Sequence, residues 1–171
     1  MFSFRSLVLT AIFLVQCAIG GLSVLAAEPP SPSDGSEGEL LYDLSDAQAL
    51  SILRGVGLAD VKVDEEAEDR TTFIFSIDGV EGFFRNYHVT KDVRIYIVYD
   101  TSEETDRVRV ESANRWNRRQ RWAKTYIDDD GNWVIEADLI VAPGVTEEAI
   151  ASFVRRFLAT RGRFEERFGL P

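Results

Sequence analysis

NRWNRRQRWAKTYIDDDGNWVIEADL, residues 114–139, is the stretch whose reading decides the fold. It reads as the end of a helix, a break, and a β-hairpin. All three tryptophans of the chain, Trp116, Trp122 and Trp133, lie in it. Trp122, Lys124 and Tyr126 alternate with Ala123, Thr125 and Ile127. After the turn signal Asp130-Gly131, Trp133, Ile135, Ala137 and Leu139 alternate with Val134, Glu136, Asp138 and Ile140. A period of two with a tight polar turn between the runs is a hairpin pattern.

Upstream of this stretch, Thr101 or Ser102 is placed to cap a helix reaching Asn117, with Glu103 and Glu104 in its first turn. Its apolar stripe is sparse: Val108, Val110, Ala113 and Trp116. Before it come three strand runs. Phe73, Phe75 and Ile77 share one face. A five-residue turn, Asp78 to Gly82, leads to Phe83 through Val89, and Lys91-Asp92 leads to Val93, Ile95, Ile97 and Tyr99. Val61 and Val63 mark a short strand, followed by a charged turn from Glu65 to Arg70. Ser45 caps a first helix with the stripe Ala47, Leu50, Ile52, Leu53 and Val56. Downstream, Pro143-Gly144 ends the hairpin and Thr146 caps a last helix, whose apolar face carries Ile150, Phe153, Phe157, Phe164 and Phe168. The order is α-β-β-β-β-α-β-β-α. We therefore expect an α+β domain: an antiparallel sheet of five or six strands, covered on one face by three helices.

The N-terminal residues have a different layout. Arg5 precedes an apolar run from Leu7 to Val15, continued from Cys17 to Val24, and Val24-Leu25-Ala26 suits signal-peptide cleavage. The run also approaches the ~17–25 residues of a spanning helix, but Gly20, Gly21 and Ser23 weaken it as an anchor. Gln16 before Cys17 is too large for a lipidation site. The expected organisation is a signal peptide over 1–26, a Pro/Ser/Gly-rich disordered linker over 27–42, and one domain over 43–171. The expected location is the periplasm or the medium, and the mature chain would hold no transmembrane segment. Cleavage would remove the only cysteine, and with it disulfides and thiolate chemistry. Losing Arg5 would take the net charge from −10 to −11. So acidic a chain is a poor nucleic-acid binder, because phosphate neutralisation needs clustered Lys and Arg.

Asn114-Arg115-Trp116-Asn117 resembles the N-x-W-N signature of the bacterial YbjN-like proteins, which carry a sensory-transduction regulator label. The similarity continues through the acidic turn Asp129-Asp130-Gly131, the strand Val134 to Asp138, and Gly144-Val145-Thr146-Glu147-Glu148 with its Phe-rich helix. The resemblance implies a fold like that of type III secretion chaperones, small α+β domains that bind protein segments and often dimerise. It implies no enzymatic activity and no established ligand. Two features depart from it: Pro143 stands where the family usually has glycine, and many members have no signal peptide.

Several groups could carry chemistry. Trp116 is expected to plug the core, Asn117 to close the helix in a left-handed conformation, and Asn114 to satisfy buried backbone near the helix end. Asp128, Asp129, Asp130 and Asn132 are crowded oxygen ligands, but Gly131 and Leu139 fall where an EF-hand does not allow them, so a tight acidic turn is the reading. Glu136 and Asp138 share a strand face with carboxylates ~7 Å apart; they could serve a hydrolase, or pair with Lys124 or Arg121 across the hairpin. His88 reads as an ordinary strand histidine. No P-loop, HExxH, GxSxG or cysteine motif is present, so no cofactor or metal is expected. The most distinctive polar feature is the basic run Arg115, Arg118, Arg119, Arg121 and Lys124 in an acidic chain. It is either a solvated surface or a docking patch for an acidic segment or an anion, including the chain's own linker (Glu28, Asp34, Glu37 and Glu39), a partner's segment or a phospholipid head group. The functional expectation is a non-enzymatic, exported module that binds a protein segment or a second copy of itself. A hydrolase using Glu136 and Asp138, or a small-ligand sensor, is the alternative. An open, partly apolar sheet face would favour binding, and a deep pocket around Glu136 and Asp138 would favour an enzyme.

Overall fold

Alternating apolar residues run through six segments, and in the computed structural model all six become strands of one sheet. The structure describes residues 38–100 and 106–171. The expected signal peptide, most of the linker, and the cap at Thr101 or Ser102 with Glu103 and Glu104 lie outside the described residues. The elements are α1 (Asp46–Gly55), β1 (Ala59–Glu66), β2 (Arg70–Ile77), β3 (Val80–Tyr87), β4 (Asp92–Tyr99), α2 (Asp106–Asn117), β5 (Lys124–Ile127), β6 (Trp133–Ile140) and α3 (Glu147–Phe168). The sheet is antiparallel throughout, in the order β1-β2-β3-β4-β6-β5. The α+β class and the order of elements are as the sequence implies.

Register puts the alternation to use. Phe73 pairs with Phe84, Phe84 with Ile95, and Ile95 with Ala137, a row across four strands on the helix-covered face. Ile97–Ile135 and Tyr99–Trp133 form parallel rows. Against these pack Ala49, Ile52 and Leu53 of α1, Ala113 and Trp116 of α2, and Ile150, Val154, Phe157 and Phe164 of α3. Among the described residues no helix packs on the opposite face. There Phe83 stacks on Tyr96 at 4.9 Å, and the Arg85 guanidinium lies 4.9 Å from the Tyr96 ring.

The starts of α1 and α3 follow the predicted caps. The Ser45 hydroxyl accepts from the Gln48 N–H, and Gln48 reaches back to the Ser45 backbone. The Thr146 hydroxyl accepts from the Ala149 N–H. A polar knot ties α1 to the sheet. Asn86 Nδ2 donates to the Leu44 carbonyl at 2.7 Å and to Asp46 at 2.9 Å, and Thr71 Oγ1 donates to Asp46 at 2.7 Å.

Four local expectations need correction. The β2–β3 turn is two residues, Asp78-Gly79, both at positive φ, with Ile77 opposite Val80; that is the hairpin geometry whose twist suits the flanking strands. Gly82 therefore lies within β3, where a Cβ would come 2.4 Å from the Phe75 ring. β1 is eight residues long, with two register shifts, and the charged turn shrinks accordingly. Val110 is 47% exposed, whereas Arg109 is 3% exposed with its guanidinium 5.7 Å from the Trp133 ring. Trp122 precedes β5 and is 56% exposed, with the Arg156 guanidinium 4.1 Å from its ring.

Tyr99 links β4 to α3. Its hydroxyl donates to Glu165 at 2.7 Å, and Arg161 donates to the same carboxylate oxygen at 2.7 Å. Arg161 also reaches Asp78 at 3.2 Å, so the β2–β3 turn is tied in as well. Burial, then the bond to Glu165, raises the Tyr99 phenol above its ordinary pKa. The stabilisation from that raised pKa is fully present below the unfolded value of about 10 and is lost as pH climbs toward the folded value. In an alkaline titration, phenolate absorbance should show Tyr99 titrating last, after Tyr96 and Tyr126, whose phenols burial also raises, and stability should fall above about pH 10. In Tyr99→Phe that late group should be missing.

Candidate functional site

The basic run does not stay together. α2 ends at Asn117, and the turn after it is set by Gln120 N–H and Arg119 N–H donating to the Trp116 carbonyl at 2.9 and 2.8 Å. Arg115 and Arg119 thereby face a cleft between the C-terminal turns of α2 and α3. Its volume is about 500 Å³. Arg163 and Arg167 of α3 line the other side, and Trp116 and Phe168, 5.9 Å apart, supply aromatic surface. Arg118 instead borders a depression with Glu111, Asn114 and Asn117. Arg121 and Lys124 border another, of about 250 Å³, with Glu136 and Asp138.

The cleft is short of negative charge. Among the described residues no carboxylate lies within 4 Å of Arg115, Arg119, Arg163 or Arg167, and Glu166 is the one acidic lining residue. Arg163 does donate to the Thr160 hydroxyl at 3.0 Å. Arg115 and Arg167 sit in the last turns of their helices, where a cation suits the helix dipole. Arg119 and Arg163 have no such structural reason to be there. The Trp116 indole N–H is buried and finds no acceptor among the described residues, which an ordinary core tryptophan would have.

The family-signature residues divide by role. Trp116 is in the core as expected, 7% exposed, with its ring edge-on to Phe164 at 5.2 Å. Asn117 is structural by a different route from a left-handed cap. Its Nδ2 donates to the Thr125 carbonyl at 2.8 Å and its Oδ1 accepts from the Thr125 N–H at 2.9 Å. The side-chain amide thus acts as one more peptide unit beside edge strand β5, satisfying groups that would otherwise be left open. Asn114, expected to satisfy buried backbone, is exposed on α2. Asn117→Ala should cost about 1–3 kcal/mol, the penalty for two unsatisfied backbone groups, read as a lower denaturation midpoint. Asn117→Asp should recover part of it only if its carboxyl can still pair with the Thr125 N–H.

Glu136 and Asp138 do share a face of β6, the open one. Glu136 is 4% exposed and accepts from Lys124 at 2.9 Å and from the Tyr126 hydroxyl at 3.2 Å, with Arg94 at 3.8 Å. Asp138 takes Arg94 Nε at 2.7 Å and Lys124 at 3.4 Å. The bond to Glu136 raises the Lys124 pKa, and the bond to Asp138 does the same for Arg94. Burial, then Glu136, raises the Tyr126 phenol. The two carboxylates are thus engaged with two cations and a phenol in a shallow surface depression rather than a deep pocket. Lys124 leaves the basic run for this cluster because β5–β6 register sets it opposite Glu136.

The remaining candidates have structural partners. Asp128 accepts from the backbone N–H groups of Asp130 and Asn132 at 3.1 and 2.7 Å, so its oxygens hold the turn. His88 Nε2 lies 3.1 Å from the Thr71 hydroxyl and 3.9 Å from Asp46. Among the described residues no group of three or more His, Cys, Asp or Glu is arranged to hold a metal ion. Nor is any described helix long and apolar enough to cross a membrane.

Sequence reasoning missed Arg163 and Arg167. The only signal for them was their four-residue spacing, on the flank of the phenylalanine face of α3. A comparison with curated proteins found no match. The YbjN family, described as "Putative bacterial sensory transduction regulator", matches residues 51–170, from α1 through the end of α3. The chain belongs to the YbjN family.

Proposed function

We propose that this domain is a non-enzymatic, exported regulatory module that holds an acidic polypeptide segment in the cleft between α2 and α3. The observation that carries this reading is a set of four arginines around an aromatic surface, with no carboxylate among the described residues in ion-pair contact. The planar guanidinium fork suits carboxylates, which it can bind through both oxygens. The regulatory label of the family fits a binding role. The engagement of Glu136 and Asp138 by Lys124 and Arg94 weighs against a hydrolase, since a general base needs an accessible carboxylate. Export is supported by Arg5, the apolar run after it and Val24-Leu25-Ala26, and the proposed site of action is the periplasm or the medium.

The test is a titration with a labelled oligo-glutamate peptide, followed by anisotropy. Arg119→Glu with Arg163→Glu should weaken binding at least tenfold, and added salt should weaken it for the unaltered protein, because exposed charges are screened beyond ~10 Å at 0.1 M. Arg118→Glu with Arg121→Glu, outside the cleft, should leave affinity within about twofold, as expected of rim charges. Equal binding by both folded double variants would overturn the assignment.

A further inference from the structure

The geometry points to a specific occupant: the N-terminal segment Glu28 to Glu37 of a second copy of this chain. The inference rests on the cleft being the binding site proposed above, and adds what fills it.

The segment reads EPPSPSDGSE. Pro29, Pro30 and Pro32 bias it toward the polyproline II conformation, which has no internal hydrogen bonds and little entropy left to lose on docking. Segments of that kind dock on aromatic surface flanked by polar groups. The cleft offers the aromatic surface of Trp116 and Phe168. Charge matches too. Arg115, Arg119, Arg163 and Arg167 against Glu166 leave the cleft at +3, and Glu28, Asp34 and Glu37 bring −3.

Chain length selects a second copy over the same one. Gly38 lies against Thr146, just before the start of α3. Arg163 and Arg167 lie ~25 and ~31 Å further along that helix at its ordinary rise. Asp34 and Glu37 precede Gly38 by four and one residues, and four extended residues span at most ~14 Å. Neither carboxylate reaches its own cleft. Glu28, ten residues back with up to ~35 Å of chain, is the one acidic residue of the three that can reach, so the same copy brings −1 and not −3. A neighbouring copy removes that limit.

Three forms of the full-length protein, as isolated from expressing cells, decide it by sedimentation across concentration and salt. These are the unaltered chain, the cleft variant Arg119→Glu with Arg163→Glu, and the linker variant Pro29→Ala, Pro30→Ala, Pro32→Ala with Asp34→Asn and Glu37→Gln. The unaltered chain should self-associate at low salt, and each variant alone at least tenfold more weakly. Mixing the two variants should restore hetero-association, because one keeps the segment and the other keeps the cleft. A synthetic peptide of residues 27–39 should compete. If the unaltered chain stays monomeric, or the linker variant associates as well as it does, this inference is overturned. Should oligo-glutamate still bind the cleft in that case, the proposed function stands without it; if no acidic peptide binds, both fall.

Discussion

Phe164→Ala lowers the unfolding free energy by about 3–5 kcal/mol, the range for removing a buried phenylalanine. Phe164 is fully buried on α3, and its ring is the meeting point of the aromatic cluster. Trp116 meets it edge-on at 5.2 Å and Trp133 edge-on at 5.6 Å, while Tyr99 lies at 5.9 Å and Phe168 at 4.9 Å. These rings come from β4, α2, β6 and α3 itself, so one deletion loosens four elements at once. Each such pair is worth about 0.5–1.5 kcal/mol beyond burial, and rigid neighbouring rings cannot collapse into the space left. The effect should therefore fall in the upper part of the range, a large share of the ~5–15 kcal/mol available to a domain. Chemical denaturation with an unchanged slope and a lower midpoint is the expected result. A midpoint shifted by less than about 1 kcal/mol equivalent, well below the core-truncation range, would mean that the cluster is not packed as described.

Trp116→Ala should cost nearly as much, about 3–5 kcal/mol, and should also abolish peptide binding. Its ring packs on Phe164 and on Phe168 at 5.9 Å, while another part of it lines the arginine cleft. Stability loss alone would obscure the second effect. Trp116→Phe separates the two, because it keeps most of the apolar core volume and trims the ring surface that lines the cleft. That variant should retain most of the stability and still bind oligo-glutamate several-fold more weakly. Binding by Trp116→Phe equal to that of the unaltered protein would confine Trp116 to the core, with no part in recognition.

The basic run shows how sequence neighbours part company in the fold. Residues 115–124 cross a helix end and enter an edge strand, so successive side chains leave in different directions. Arg115 and Arg119 keep helical spacing and reach the cleft. Lys124 follows strand alternation and meets Glu136. Arg163 and Arg167 were unreadable as partners because an arginine pair on a helix's polar side looks the same whether it faces water or a second helix. Buried Arg109 and Arg161 were equally hidden: long cationic side chains pattern as surface until a ring or a carboxylate is found for them.

The sequence by itself determined the elements, their order and the starts of α1 and α3. Period-two and helical periodicities, and the caps Ser45 and Thr146, act between residues a few positions apart. It also settled which side of each central strand is apolar, and so that one face of the sheet is covered. Glycine chemistry was harder to read. Gly82 looked like part of a turn, but the Phe75 ring leaves no room for a side chain there, a constraint that comes from the paired strand. Only the tertiary structure decided that the Asn117 amide sits beside Thr125, that Glu136 and Asp138 are matched to Lys124 and Arg94, and that two arginine pairs nearly fifty residues apart share one cleft. Each depends on strand register and helix packing, where side chains distant in sequence meet, and no local pattern records which of them will.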